Sequence, residues 1–369
     1  MMKRTDTDHV HGGLPSLGVL ITNLGSPDAA TVPDVRRYLK EFLWDPRVVE
    51  IPRPLWWLIL HAVVLPFRPS KTAHAYQQVW TADGSPLVAI SKRQKIALQR
   101  ELAQRVQAPV HVALGMRYGN PSIANGLRQL RKSNVQRLLV LPLYPQYSAA
   151  TTATAFDALA KELADWRWVP ELRTIGAYHD DPAYIKAVAD SIREYWRSNG
   201  QAEYLLFSFH GMPKRTLLAG DPYHCQCHKT ARLVAAELQL SASQWMIAFQ
   251  SRFGREEWLK PYAQETLQEL PKKNVKSVDV VCPGFSADCL ETLEEMALRN
   301  RDFFIAAGGQ QYRYIPCLND RPDHIQALAN IIVRNCGGWS EANPQWDSEQ
   351  AKADAEASRR RAIALGAAR

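Results

Sequence analysis

The chain has 369 residues, 46% of them hydrophobic and 22% charged, with a formal net charge of +8. It is long enough to bury a large core in about two domains, and its composition is that of a soluble globular protein. Its most apolar run, Leu55–Leu65, is interrupted by His61 and is too short to cross a bilayer. Met1–Gly13 is polar, so no secretory signal is expected there, and a cytoplasmic location is expected.

The positive excess belongs to the folded part, because the tail Ser340–Arg369 balances five basic against five acidic residues. Such a surface can meet nucleic acid, anionic lipid or an acidic small molecule. The basic residues are scattered apart from Arg359-Arg360-Arg361, and no nucleic-acid motif is present, so nucleic acid is not expected as a partner.

After a flexible N-terminus (1–16), Leu17–Leu24 reads as a buried strand closed by Gly25-Ser26-Pro27. Thr31 caps a helix through Trp44, with Pro33 tolerated in its first turn. Ile51–Pro69 is aromatic and aliphatic, and helical patterns follow at Lys71–Trp80 and Leu87–Gln107. Strands are expected at Pro109–Met116, Gln136–Leu143 and Val169–Ile175, with helices from Asn120-Pro121 and about Thr151. Asp181-Pro182 opens a helix to Ser198. A second strand series follows at Glu203–Phe209, Gln244–Gln250, Val275–Cys282 and Tyr312–Ile315, each strand followed by helical sequence. Strands alternating with helices predict an α/β protein with parallel four-stranded sheets covered on both faces.

The two series echo each other. Leu24-Gly25-Ser26-Pro27 matches His210-Gly211-Met212-Pro213, Arg117-Tyr118-Gly119 matches Arg252-Phe253-Gly254, and Ser148-Ala149 matches Ser286-Ala287. The order predicts two similar doubly wound lobes, 17–176 and 177–338, with a ligand cleft between them. In that alignment Leu24 stands in the place of His210 and Ala153 in the place of Glu291. One lobe therefore offers an apolar surface and the other offers titratable groups, as suits a flat, largely apolar ligand with one reactive side.

His210 ends an apolar strand, where an open α/β sheet delivers side chains to its ligand-binding edge. An imidazole there can accept a proton or bind a metal. After the strand Val278–Cys282, Asp288, Glu291 and Glu295 recur at spacings of three and four, which places them on one helical face. Acids in a first helical turn are also favoured simply by the helix dipole. Facing His210, such a row can pass protons or hold an ion such as ferrous iron.

The six cysteines are expected as reduced thiols. His224-Cys225-Gln226-Cys227-His228 carries ligand-type residues, but is too tight for all four to reach one tetrahedral ion comfortably. No G-x-G-x-x-G follows any strand, which argues against a nucleotide-dependent oxidoreductase. A non-catalytic two-lobed binding module for a metal or a tetrapyrrole remains open.

Phe207–Pro213 with Gly220-Asp221-Pro222-Tyr223 resembles the histidine signature of the ferrochelatases, and Ser286–Glu295 resembles their acidic helix. Leu20–Pro27, Tyr144-Pro145-Gln146-Tyr147-Ser148, and Gln250–Gly254 with Trp258 resemble three further blocks, so the likeness runs in order from about Leu17 to Asn335. The resemblance implies a class II chelatase-like fold and insertion of ferrous iron into protoporphyrin IX, both being substrates, with a related porphyrin such as coproporphyrin III as the alternative.

By the same resemblance His210 and Glu291 handle iron and protons, with Glu295 and Asp288 extending the acidic line. Arg117, Tyr118, Tyr144 and Ser85 fall at macrocycle-holding positions, Leu24 and Trp258 supply apolar wall, Ser251 belongs to the matched block, and Arg68 reaches a propionate. Leu24 in place of a tyrosine favours protoporphyrin, and Cys289 stands where some relatives carry a second histidine. Ala149 replaces a cluster-ligating cysteine and no cysteine follows Cys336, so an animal-type [2Fe–2S] cluster is not expected; a cluster on Cys225 and Cys227 lacks obvious partners. No tightly bound cofactor is expected. Ile51–Phe67, flanked by Arg53 and Arg68, reads either as core or as a lip touching anionic lipid on the inner membrane face. The tail 339–369 is expected as disordered or a frayed helix.

Overall fold

The structure, a computed structural model, describes residues 10–367. In chain order the elements are β1 (Ser16–Ser26), α1 (Val32–Trp44), α2 (Arg53–Ile59), α3 (Leu65–Val79), α4 (Pro86–Ala103), β2 (Val110–Gly119), α5 (Ile123–Lys132), β3 (Val135–Pro142), α6 (Thr154–Leu163) and β4 (Glu171–Thr174). Then follow α7 (Pro182–Asn199), β5 (Tyr204–His210), α8 (Lys214–Leu218), α9 (Tyr223–Glu237), β6 (Trp245–Gln250), α10 (Ala263–Glu269), β7 (Ser277–Val281), α11 (Asn300–Ala306), β8 (Gln311–Ile315), α12 (Pro322–Asn335) and α13 (Ser348–Ala364). π-Helical turns occupy Leu60–Val64, Ala149–Ala153 and Glu291–Arg299.

The eight expected strands form two parallel four-stranded sheets with the same order, β2-β1-β3-β4 and β6-β5-β7-β8. Period-two alternation sorts each central strand between two cores. Leu17, Val19 and Ile21 of β1, with Leu205, Phe207 and Phe209 of β5, face a shared layer built from α4, α7, α9 and α12. Leu20 of β1 faces α5 and α6 instead, and Leu206 of β5 faces α10 and α11. The two lobes thus share one continuous apolar interior.

Local chemistry sets several helix starts. Thr31 Oγ1 accepts from Asp34 N at 3.3 Å, Ser122 caps α5, and Asp181 caps α7 through Ala183 N and Tyr184 N. Within the aromatic and aliphatic segment Ile51–Pro69, the chain is helical from Arg53 onward. Pro66 and Pro69 remove two N–H donors from α3, and the chain widens into the π-turn just ahead of them.

Polar ties then bring the carboxyl edges of the two sheets together. Gln94 of α4 donates to Ser286 O and Asn319 O, both at 2.9 Å. Asp221, after β5, accepts from Ser148 Oγ at 3.1 Å and Ala149 N at 2.8 Å, after β3. The tail carries the helix α13, which runs beside Gly12, and Trp339 and Glu341 ahead of it are buried. Residues 1–9 of the expected flexible N-terminus lie outside the described residues.

Asn319 is held by a buried histidine. His324 is fully buried, and its Nδ1 lies 2.7 Å from Asn319 O, which must accept the proton; Nε2 has no partner among the described residues. Burial lowers the pKa from the ordinary 6.5 to about 4. The unfolded chain therefore takes up a proton that the folded one refuses, and stability falls as pH drops from about 6.5 towards 4. Urea unfolding at pH 7.5 and 5 should show wild type losing about 2 kcal/mol more than His324→Gln on acidification. Equal losses in both proteins would contradict the assignment.

Candidate active site

His210 is the last residue of β5 and lies opposite Gln250 of β6. Its Nδ1 is 2.7 Å from Gly211 O. A carbonyl only accepts, so the neutral imidazole carries its proton on Nδ1 and leaves a lone pair on Nε2. Gly211 makes this turn possible: a Cβ there would fall 2.5 Å from Gln250 O and 3.0 Å from a ring carbon of Trp258. Trp258 is itself buried and bridges to Pro213. Its ring packs against the histidine turn and lies 4.9 Å from the ring of Phe253.

The acidic segment differs in detail from the α-helical spacing. Glu291 and Glu295 lie on a π-helical stretch, whereas Asp288 precedes the helix altogether. The Asp288 carboxylate is buried and accepts from Tyr314 OH at 2.6 Å, Asn319 Nδ2 at 2.7 Å and Thr292 Oγ1 at 3.0 Å. Those donors occupy it as a brace between β8 and the acidic helix, so the expectation of three acids on one helical face is corrected to two. Among the described residues no three His, Cys, Asp or Glu side chains are grouped as a metal-holding set.

Glu295 is positioned by an unusual residue. Ser251 adopts φ +66°, a left-handed conformation that costs a non-glycine residue. In return both its N–H, at 2.7 Å, and its hydroxyl, at 2.5 Å, donate to the Glu295 carboxylate. Burial raises the pKa of Glu295, while Ser251, Arg299 and His210 act in the opposite direction. Ser251 directly follows Gln250, the strand partner of His210, so the carboxylate it holds lies near the end of the histidine strand. Gln250 completes the frame, donating to Glu291 O at 2.8 Å and accepting from Ser208 Oγ at 2.7 Å.

Glu291 follows Leu290, which packs against the first-lobe cluster containing Tyr38 and Tyr76. Its charge contributes to the raised pKa values of Tyr38, Tyr76 and Tyr144, each dominated by burial, and opposes the desolvation that lowers Arg68. Arg68 is exposed to solvent yet crowded by protein, and its guanidinium lies 5.4 Å from the Phe253 ring of the second lobe. Arg68 therefore reaches across from the first lobe to the second. The Tyr144 hydroxyl is buried and has no hydrogen-bond partner among the described residues. Leu24 packs with Leu87, Ile90, Ala287 and Cys289, closing an apolar contact between the lobes.

Other expected positions are more firmly tied to the protein. Tyr118 is fully buried, and its hydroxyl donates to Asp45 Oδ2 at 2.9 Å. Arg117 is ion-paired with the same carboxylate and stacks over Tyr118 at 4.4 Å. Ser85 is buried at the start of α4. Sequence reasoning missed Asp45, Tyr38 and Tyr76. Asp45 follows α1 with no motif spacing to its partners, but Tyr38 and Tyr76 lie in helical patterns whose apolar faces could have pointed to them.

The ferrochelatase family model matches residues 16–336. A protein named ferrochelatase from Thioalkalivibrio sulfidiphilus is 55% identical over 362 residues, 98% of each chain. One of the same name from Nitrosococcus oceani is 56% identical over 361 residues, again 98% of each. The chain belongs to the ferrochelatase family. Its fold is also that of the solved structure titled SirB from Bacillus subtilis with Fe3+, with a TM-score of 0.53 and 13% identity over 90% of this chain and all of that one. A Deinococcus radiodurans multi-domain protein with similarity to chelatases gives a TM-score of 0.50 at 14% identity, over 95% of this chain and 60% of that one. As a ferrochelatase the chain is a lyase of haem synthesis that inserts iron into a porphyrin.

Ser251 should act on turnover through Glu295. Loss of a hydrogen bond to a charged group costs about 1.5–3 kcal/mol, so Ser251→Ala should lower kcat by about tenfold or more with KM nearly unchanged. An unchanged kcat, or a change in KM alone, would contradict this positioning role.

Proposed function

We propose that the chain inserts Fe2+ into protoporphyrin IX, with His210 and Glu291 receiving the two pyrrole protons that must leave as the ion enters. The observation that carries this assignment is the His210 Nδ1 to Gly211 O contact, which reserves the Nε2 lone pair for a proton or an arriving ion. Glu291 stands opposite the tyrosines of the first lobe and can take the second proton. Glu295, held by Ser251, stabilises the imidazolium that forms. His210 and Glu291 also serve as transient iron ligands. Such a site binds weakly enough to release the ion to four pyrrole nitrogens. Asp288, engaged by three side-chain donors, supports the acidic helix rather than ligating.

The ring must also bend so that its nitrogens point at the ion, and binding energy from its apolar periphery supplies that distortion. Leu24 provides such a surface and leaves no hydroxyl for an extra carboxylate, which favours protoporphyrin over coproporphyrin III. Tyr144, through its unpartnered hydroxyl, lies toward the ring, while Arg117, Tyr118 and Ser85 stiffen the wall around it. Arg68 meets a propionate as a charge-assisted pair.

The enzyme acts in the cytoplasm at the inner membrane face, where its poorly soluble substrate resides. Between Arg53 and Arg68, the helical stretch exposes Leu55, Trp57, Leu58, Val63 and Phe67. Trp56 is not part of that lip: it is buried and donates from Nε1 to Leu43 O at 2.7 Å. Among the described residues no helix is long and apolar enough to cross a membrane, so peripheral contact is the mode proposed.

Mixing the protein with Zn2+ and protoporphyrin, and following absorbance, tests the site. His210→Ala should lower insertion about a hundredfold or more while porphyrin still quenches protein fluorescence. Glu291→Gln should lower it at least tenfold. Near-normal turnover in both would overturn the assignment, and faster insertion into coproporphyrin III would overturn the substrate choice. Flotation with anionic liposomes should be lost in a Trp57→Ser, Phe67→Ser double variant; flotation equal to that of wild type would exclude the lip.

A further inference from the structure

Helical geometry divides the segment His224-Cys225-Gln226-Cys227-His228, which the iron-inserting site does not use. On α9 the two cysteines are two residues apart, Cys225 exposed and Cys227 fully buried, so their thiols point to different sides. The two histidines are four apart and stack on one face. Their ring centroids lie 4.4 Å apart with 47° between the planes. Phe249 of β6 backs both, 5.7 Å from His224 and 6.3 Å from His228.

Neither imidazole is hydrogen-bonded to another described residue. The Phe249 ring covers one side of the pair, and of the two residues His228 is exposed and His224 half-buried. Partial burial lowers both pKa values, and His224 adds to the effect at His228, which favours the neutral form that keeps a lone pair.

We propose that His224 and His228 form a two-histidine site for a borderline divalent cation, of the class of Zn2+, Ni2+ or Cu2+, with water completing the coordination. Two neutral imidazoles one helical turn apart match the spacing by which helices present paired nitrogen ligands. The site is separate from the catalytic face. Phe249, which backs the pair, belongs to the apolar layer shared by the lobes, whereas the adjacent Gln250 turns its side chain to Ser208 and the acidic helix. The affinity order of divalent ions places Cu2+, Ni2+ and Zn2+ above Fe2+ at imidazole donors. The pair therefore holds competitors of the substrate metal more tightly than the substrate itself.

Titration of the purified full-length protein with Ni2+ against a chromophoric chelator tests the site, with Cys225→Ser as the thiol control. Chelation by two groups makes each histidine necessary, so His224→Gln and His228→Gln should each weaken Ni2+ binding by about a hundredfold. The double variant should bind little worse than either single one, and Cys225→Ser should bind as wild type does. Retained insertion of Zn2+ into porphyrin would show that the histidine variants remain folded. Unchanged Ni2+ affinity in the double variant, or loss on Cys225→Ser instead, would overturn the proposal.

Discussion

The site depends on a single backbone contact, the carbonyl of Gly211 fixing the Nδ1 side of His210. An imidazole is useful as a proton acceptor only when the other nitrogen is committed, and here the commitment is made by the residue that follows it in the chain. The turn in turn depends on Gly211 having no side chain, because Gln250 O and Trp258 press against it. Residues that never face the substrate therefore decide which nitrogen does.

From that contact the frame spreads outward. Gln250 joins the floor of the histidine turn to the backbone of the acidic helix, and Ser251, held in a strained conformation, aims Glu295. The π-helical widening over Glu291–Arg299 spaces the two carboxylates differently from a regular helix, a distortion that recurs at functional sites. Glu295 then answers to His210 and Arg299, while Glu291 answers to the opposite wall. Two acids four residues apart thus do different work because their surroundings differ. Asp288, the third acid of the run, is consumed as a brace.

Much of this was legible in the sequence. All eight strands were readable because buried parallel strands are continuous apolar runs closed by glycine and proline. The histidine and the acidic run were readable because each follows such a strand, at the edge where α/β sheets bind ligands. The role of Asp288 was not, since periodicity cannot reveal that Tyr314 and Asn319 from later in the chain saturate its oxygens. Nor could it reveal that Trp56 turns inward while Trp57, its neighbour, turns outward. Asp45 escaped for the same reason: its partners Arg117 and Tyr118 lie far along the chain, and only tertiary packing makes it their anchor.

The account rests on which nitrogen of His210 is free. Long-range nitrogen–proton NMR correlation on protein labelled with 15N-histidine, with His210→Gln used to assign the signal, reads the tautomer directly. The neutral ring is expected to carry its proton on Nδ1, with Nε2 showing the shift of an unprotonated nitrogen that moves when porphyrin or a divalent ion is added. A neutral ring protonated on Nε2, unchanged by either addition, would contradict the account.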